Sequence, residues 1–225
     1  MIKQFKLALQ IQKFGFQRTM QLVCMAIMVV VGIIIEAASQ GVTWLGSFFI
    51  ALAPMFLTQI IYSFGMSDLV ASSPYKKRLQ TTVPAVSECI ISLISMTVIV
   101  GFKIAEIHRA PEHTKGLLST LMVLCVLMAL LHLYTAVVFK YYALSVVLLL
   151  VIVWPMCFVM GFSTGMSDSM MFEIPFLNIS LTTAVIISYL TVFVSVFLQY
   201  LLSCALYRKP MSKYAQGMTM RKYLK

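Results

Sequence analysis

The stretch DLVASSPYKKRLQ, residues 68–80, separates two apolar runs, residues 44–64 and 84–105. Each run matches the roughly 20 residues that an α-helix needs to cross a bilayer. The stretch between them holds Asp68 and three adjacent cations, Lys76, Lys77 and Arg78. It is too polar to enter hydrocarbon and too short to be a domain. Flanked in this way, it predicts two membrane-crossing helices joined by a compact polar loop, residues 67–83.

The same reading extends in both directions. Further apolar runs cover residues 22–38, 117–137, 143–163 and 177–207, so six spans are expected. The last run is long for one crossing, so it either tilts or lends its first turns to something else. Composition agrees: 61% of the 225 residues are hydrophobic, only 11% are charged, and the mean hydropathy is +0.96. A soluble domain is about a quarter charged. The fold class is therefore an all-α polytopic membrane protein, residues 1–225 forming one transmembrane domain.

The net charge of +10 invites a nucleic-acid reading, but the cations sit in short segments beside apolar spans. That is how membrane orientation is encoded. No zinc-finger, RNA-binding or helix-turn-helix pattern is present, so the expected charged partner is the lipid bilayer and not nucleic acid. With a cytoplasmic N-terminus, the inner segments hold Lys3, Lys6, Lys13, Arg18, Lys76, Lys77, Arg78, Lys140, Arg208, Lys209, Lys213, Arg221, Lys222 and Lys225. Only Lys103, Arg109 and Lys115 of the 17 Lys and Arg lie outside. Both termini are expected in the cytoplasm of a multi-pass plasma-membrane protein, with residues 208–225 a basic tail. No signal peptide is evident, and the first span is expected to be retained.

Residues 1–20 have an amphipathic pattern. Lys3, Lys6 and Lys13 share a stripe with Gln10 and Gln17, while Phe5 and Phe16 lie with the apolar side. This predicts a helix lying in the cytoplasmic interface, cations toward headgroups and rings toward acyl chains. Residues 164–176, TGMSDSMMFEIPF, mix Asp168 and Glu173 with Met171 and Phe172. A plain exposed loop needs no such apolar content, so a short segment dipping back into the outer membrane face is expected. The five cysteines all lie in apolar runs and form no ligand spacing, so they are expected to be free packing residues, with no disulfide and no metal.

Catalytic sets are not visible. There is no HExxH, no GxSG with a partner histidine and no GxxxxGK[ST] phosphate loop. His132, inside the fourth span, is expected to be a neutral imidazole bonded to a helix neighbour. Glu88 lies near the start of the third span, where a carboxylate favours the helix N-terminus and could contact a cation of the basic loop or of a partner. Lys103 and Glu106 are three apart on one helix and are expected to pair locally. Pro54 and Pro155 fall inside spans and could kink them.

In the polar loop, Ser72 and Ser73 precede Pro74, which reads as a hydroxyl cap followed by proline at the first helical position. A short helix over 74–80 is expected. Here the chain resembles the membrane (permease) subunit of type-2 ABC exporters. That family has an interfacial N-terminal helix, six spans, cytoplasmic termini, a coupling helix between spans two and three, and short re-entrant helices before span six. Residues 68–80, with their Asp, apolar, small, Ser-Pro, basic order, resemble the coupling segment.

The resemblance implies that Asp68, Ser72, Ser73, Pro74, Tyr75, Lys76, Lys77 and Arg78 contact a separate ATPase. It implies that Asp168, Met171, Phe172 and Glu173 belong to an outer gate. ATP and Mg would be bound by the partner and no cofactor by this chain, which is not itself an enzyme. A second permease subunit, identical or different, would complete the pathway for an amphipathic or peptide- or drug-like cargo. Other readings stay open: a substrate-binding subunit of an energy-coupling importer, an intramembrane enzyme, or a non-transporting immunity or structural membrane protein.

Overall fold

The computed structural model describes residues 18–39, 43–65, 73–138, 147–148, 150–152, 154–155, 158, 174 and 178–207. They form α1 (Arg18–Ala38), α2 (Leu45–Gly65), the short α3 (Lys76–Gln80), α4 (Thr82–Arg109), a 3-10 turn (Pro111–His113), α5 (Thr114–Val138) and α6 (Leu181–Leu206). Among the described residues there is no strand. Among the described residues, four helical stretches are long and apolar enough to cross a membrane: Thr19–Ala38, Lys76–Arg109, Pro111–Val137 and Leu181–Leu206. They are what a membrane protein requires, and they coincide with four of the runs read from the sequence.

The boundaries differ from the hydropathy pattern where polar chemistry sets them. α4 begins two residues before Pro84 and runs 28 residues to Arg109, beyond the apolar run. Proline is tolerated there because a first-turn N–H has no partner inside the helix. α6 starts only at Leu181, where the Ser180 Oγ accepts a hydrogen bond from the Thr183 N–H at 3.2 Å. Residues 178–180 are not helical, so the long last run gives up its first residues. In α2, Pro54 lies inside an unbroken helix. Residues 147–148, 150–152, 154–155 and 158 are helical and lie in the expected fifth run.

Helix directions follow from paired residues. Glu36 near the end of α1 meets Ser47 near the start of α2, so these two are antiparallel. Ser92 of α4 meets His132 of α5, and Glu88 meets Thr135, so α4 and α5 are antiparallel. α5 and α6 run the same way: Cys125 meets Ser188, His132 meets Ser195, and Thr135 meets Gln199. α4 is central and packs on α2, α3, α5 and α6, while α1 packs on α2. The core lies where Phe48, Ile50 and Ala51 of α2 meet Met96, Ile99 and Val100 of α4 and Leu121, Leu124 and Met128 of α5.

α1 and α2 approach closely through Gly32 and Gly46. A Cβ on either would fall under 3 Å from backbone atoms of the other helix. Small residues at such crossings are how helices associate where water supplies no drive. α6 has its polarity inside out. Ser188, Ser195, Gln199 and Ser203 are buried, while Ile186, Leu190, Phe193, Phe197 and Leu201 are exposed. An aqueous helix would reverse this arrangement.

Candidate functional site

The polar side chains gather at three places, all fixed by α4. The first is the exposed knob at its start. Ser73 to Lys76 form a turn: the Lys76 N–H donates to the Ser73 carbonyl at 3.1 Å, and the Tyr75 N–H donates to the Ser73 Oγ at 3.2 Å. The expected helix from Pro74 with a serine cap is therefore corrected. α3 begins at Lys76, Tyr75 holds the cap position without a side-chain bond, and Pro74 sits in the turn. A fixed φ suits that turn as well as it suits a helix start.

Leu79 and Gln80 are buried, whereas Pro74, Lys77 and Arg78 are exposed, Tyr75 is 46% exposed and Lys76 is half-buried. Thr81 joins α3 to α4. Its N–H and Oγ1 both donate to the Lys77 carbonyl, and its own carbonyl accepts from the Ala85 N–H at 3.3 Å. The knob is thus an exposed cationic and aromatic surface rooted in the central helix.

One to four turns along α4 lies a buried seam shared with α5 and α6. The Thr135 Oγ1 lies between the His132 carbonyl at 2.7 Å and Glu88 Oε1 at 3.2 Å, and the Gln199 side-chain amide donates both to Glu88 and to the Thr135 Oγ1, the latter at 3.0 Å. One turn further, His132 is held on both ring nitrogens, Nε2 to the Ser92 Oγ at 2.8 Å and Nδ1 to the Ser195 Oγ at 2.6 Å. The Ser195 hydroxyl already donates to the Val192 carbonyl. It therefore accepts from Nδ1–H, and Ser92 donates to Nε2. Farther along, the Cys125 thiol donates to the Ser188 Oγ at 3.3 Å. All six residues around Glu88 and His132 are at most 3% exposed. A buried polar network of this kind fixes register in a low-dielectric interior.

The third place is the far end of the bundle. Lys103 Nζ lies 2.5 Å from Glu36 Oε1, with the two side chains 1% and 0% exposed. The Ser47 hydroxyl donates to the same oxygen at 2.9 Å. The local Lys103–Glu106 pairing expected from spacing is corrected: Lys103 pairs with Glu36, 67 residues away, and Glu106 pairs with Arg109 at 3.3 Å. A buried ammonium needs a buried counter-charge, which Glu36 supplies, while Glu106, also buried, is engaged by Arg109. At 1.5 Å per residue, Glu88 and Lys103 stand about 22 Å apart along α4.

Of the residues singled out in the sequence, Ser73, Pro74, Tyr75, Lys76, Lys77 and Arg78 are brought together in the knob. Asp68, Ser72, Asp168, Met171, Phe172, Glu173, Lys3, Phe5, Lys6, Lys13, Phe16 and the tail 208–225 lie outside the described residues. Sequence reading missed Glu36, Ser47, Ser92, Thr135, Ser195 and Gln199. The signal for the α6 members was present: Ala184, Ser188, Val192, Ser195, Gln199 and Ser203 repeat at helical spacing inside an apolar run. No protein-family model, curated protein or solved structure matches the chain.

Proposed function

We propose that this chain is the permease subunit of an ATP-driven exporter of the type-2 ABC class. It would span the plasma membrane six times with both termini in the cytoplasm, and pair with a second permease and two separate ATPase subunits. The single observation that carries the proposal is the knob. An exposed Tyr75, Lys77 and Arg78 surface is built on a five-residue helix whose buried Leu79 and Gln80, with Thr81, tie it to the central helix of the bundle. A loop with no mechanical task needs neither the helix nor the anchor.

Six crossings are supported by direction. α5 and α6 are packed neighbours running the same way, and parallel neighbours need a connection that returns across the bundle. The helical residues between 147 and 158 lie in that connection. The α3 end is cytoplasmic by the distribution of cations. ATP bound by the partner would favour one arrangement of the helices, and the push would enter at α3.

The test is purification of the tagged chain from its native membrane under mild conditions. A soluble ATPase with a phosphate-binding loop should accompany it in stoichiometric amount. Reversing Lys76, Lys77 and Arg78 to glutamate should remove that partner while leaving membrane insertion intact. Insertion with no ATPase under several mild conditions, or an ATPase indifferent to the reversal, refutes the proposal.

A further inference from the structure

The Thr135 hydroxyl stands among more oxygens than its one proton can serve. Its Oγ1 lies 2.7 Å from the His132 carbonyl oxygen, 3.2 Å from Glu88 Oε1 and 3.3 Å from Glu88 Oε2. A carbonyl oxygen has no proton to give, and about 2.7–2.8 Å is the usual O–H···O separation. The proton between Thr135 and His132 is therefore the threonine's own. Gln199 brings two protons to the cluster, one to Thr135 Oγ1 at 3.0 Å and one to Glu88 Oε2. Oε2 is thus an acceptor. In the remaining contact, between Glu88 Oε1 and Thr135 Oγ1, only the glutamate is left to supply a proton.

We propose that Glu88 is a proton-binding site, its carboxyl carrying a proton on Oε1 and donating it to Thr135 Oγ1. The count at Thr135 then closes. Its oxygen donates once, to the His132 carbonyl, and accepts twice, from Glu88 and Gln199, which is the full capacity of a hydroxyl. With an ionised Glu88 the threonine proton would turn to the carboxylate, and two oxygens 2.7 Å apart would face each other with no hydrogen between them. Ionisation would also place a carboxylate where Glu88, Thr135 and Gln199 are at most 2% exposed. A neutral acid is far less costly to bury there.

The elements packed on this part of α4 bring few other titrating groups among the described residues. α5 contributes His132, held on both ring nitrogens by Ser92 and Ser195. α6 contributes Gln199, which does not titrate, and the sequence of α2 has no charged residue. The cations of α3 are Lys76, half-buried, and Lys77 and Arg78, both exposed. Loss of the Glu88 proton would make Thr135 give up the His132 carbonyl, so one hydroxyl couples the charge of α4 to the backbone of α5. This inference goes beyond the exporter reading and stands whatever the knob binds.

The experiment records infrared spectra of the purified full chain in phosphatidylcholine vesicles at neutral pH, unlabelled and with carbon-13 glutamate. The carbonyl stretch of a protonated carboxylic acid should appear, shift with the glutamate label, and be lost in Glu88→Gln. In Thr135→Val, which removes the acceptor, it should move to higher frequency. In Glu88→Asp it should answer to an aspartate label and no longer to the glutamate label, which assigns the band even if the amide variant fails to fold. Gel filtration identifies the folded variants. A labelled wild type with no glutamate acid band overturns the proposal without any variant. So does a Glu88→Gln protein that loses a carboxylate band in place of the acid band. An acid band indifferent to substitution at Glu88, or unmoved by Thr135→Val, overturns it as well.

Discussion

Gly46 and Gly101 offer the same substitution in opposite surroundings. A Cβ at Gly46 would stand 2.6 Å from Glu36 Oε2, 2.7 Å from the Glu36 backbone nitrogen and 2.7 Å from the Gly32 carbonyl oxygen. Ordinary carbon–oxygen contacts are about 3.3–3.6 Å, so α1 and α2 must part by roughly 0.6 Å or more. Two of the three obstacles are backbone, so no rotamer change relieves them. Overpacking of this kind costs about 1–3 kcal/mol, and separating the helices also loosens the Ser47–Glu36 bond.

At Gly101 nothing lies within 4 Å of the added carbon, and removing a mid-helix glycine gains about 0.5–1 kcal/mol. For a chain of this length about 2–4 °C accompanies each kcal/mol. Thermal unfolding in detergent should therefore place Gly46→Ala about 2–12 °C below the wild type. Gly101→Ala should be unchanged or up to about 4 °C above it. A Gly46→Ala protein as stable as the wild type, or a Gly101→Ala protein destabilised to the same degree, would refute the close α1–α2 crossing.

Two further predictions concern the buried polar groups. Lys103→Met alone leaves the Glu36 carboxylate buried beside Ser47 and should cost about 3–5 kcal/mol; Glu36→Gln added to it should recover most of that loss in the same melting assay, and a double variant as unstable as the single one argues against the pair. Nitrogen-15 spectra of the chain labelled at histidine should show His132 as the Nδ1–H tautomer, because Ser195 spends its proton on Val192; an Nε2–H signal at that residue contradicts the assigned network.

The apolar runs were readable because membrane crossing demands length and hydrophobicity, which are local properties. α1, α4, α5 and α6 fall where the hydropathy places them, with ends adjusted by Ser180 and by the first-turn tolerance of Pro84. The knob was readable for the same reason: three consecutive cations and the apolar Leu79 fall within one short segment. What the sequence hid was pairing over distance. Lys103 has an acid three residues away, and only the packing of α1 on α2 and of α2 on α4 brings Glu36 to it. His132 read correctly as a bonded imidazole, but its partners on α4 and α6 are 40 and 63 residues away. Such contacts depend on how far one helix slides along another, and composition carries no record of that.

The shared direction of α5 and α6 has a consequence for biosynthesis in the proposed topology. Helices leave the ribosome in chain order, so Glu36 waits in the membrane until Lys103 is made, and Glu88 and His132 wait until Ser195 and Gln199 arrive. α4 closes the Glu36 pair, and α6 completes the seam. A nascent chain halted before Leu181 would expose a carboxyl and an imidazole to lipid, the kind of unsatisfied surface that membrane chaperones hold and quality-control proteases degrade. The seam that fixes the register of the bundle therefore also marks, residue by residue, whether α6 has joined it.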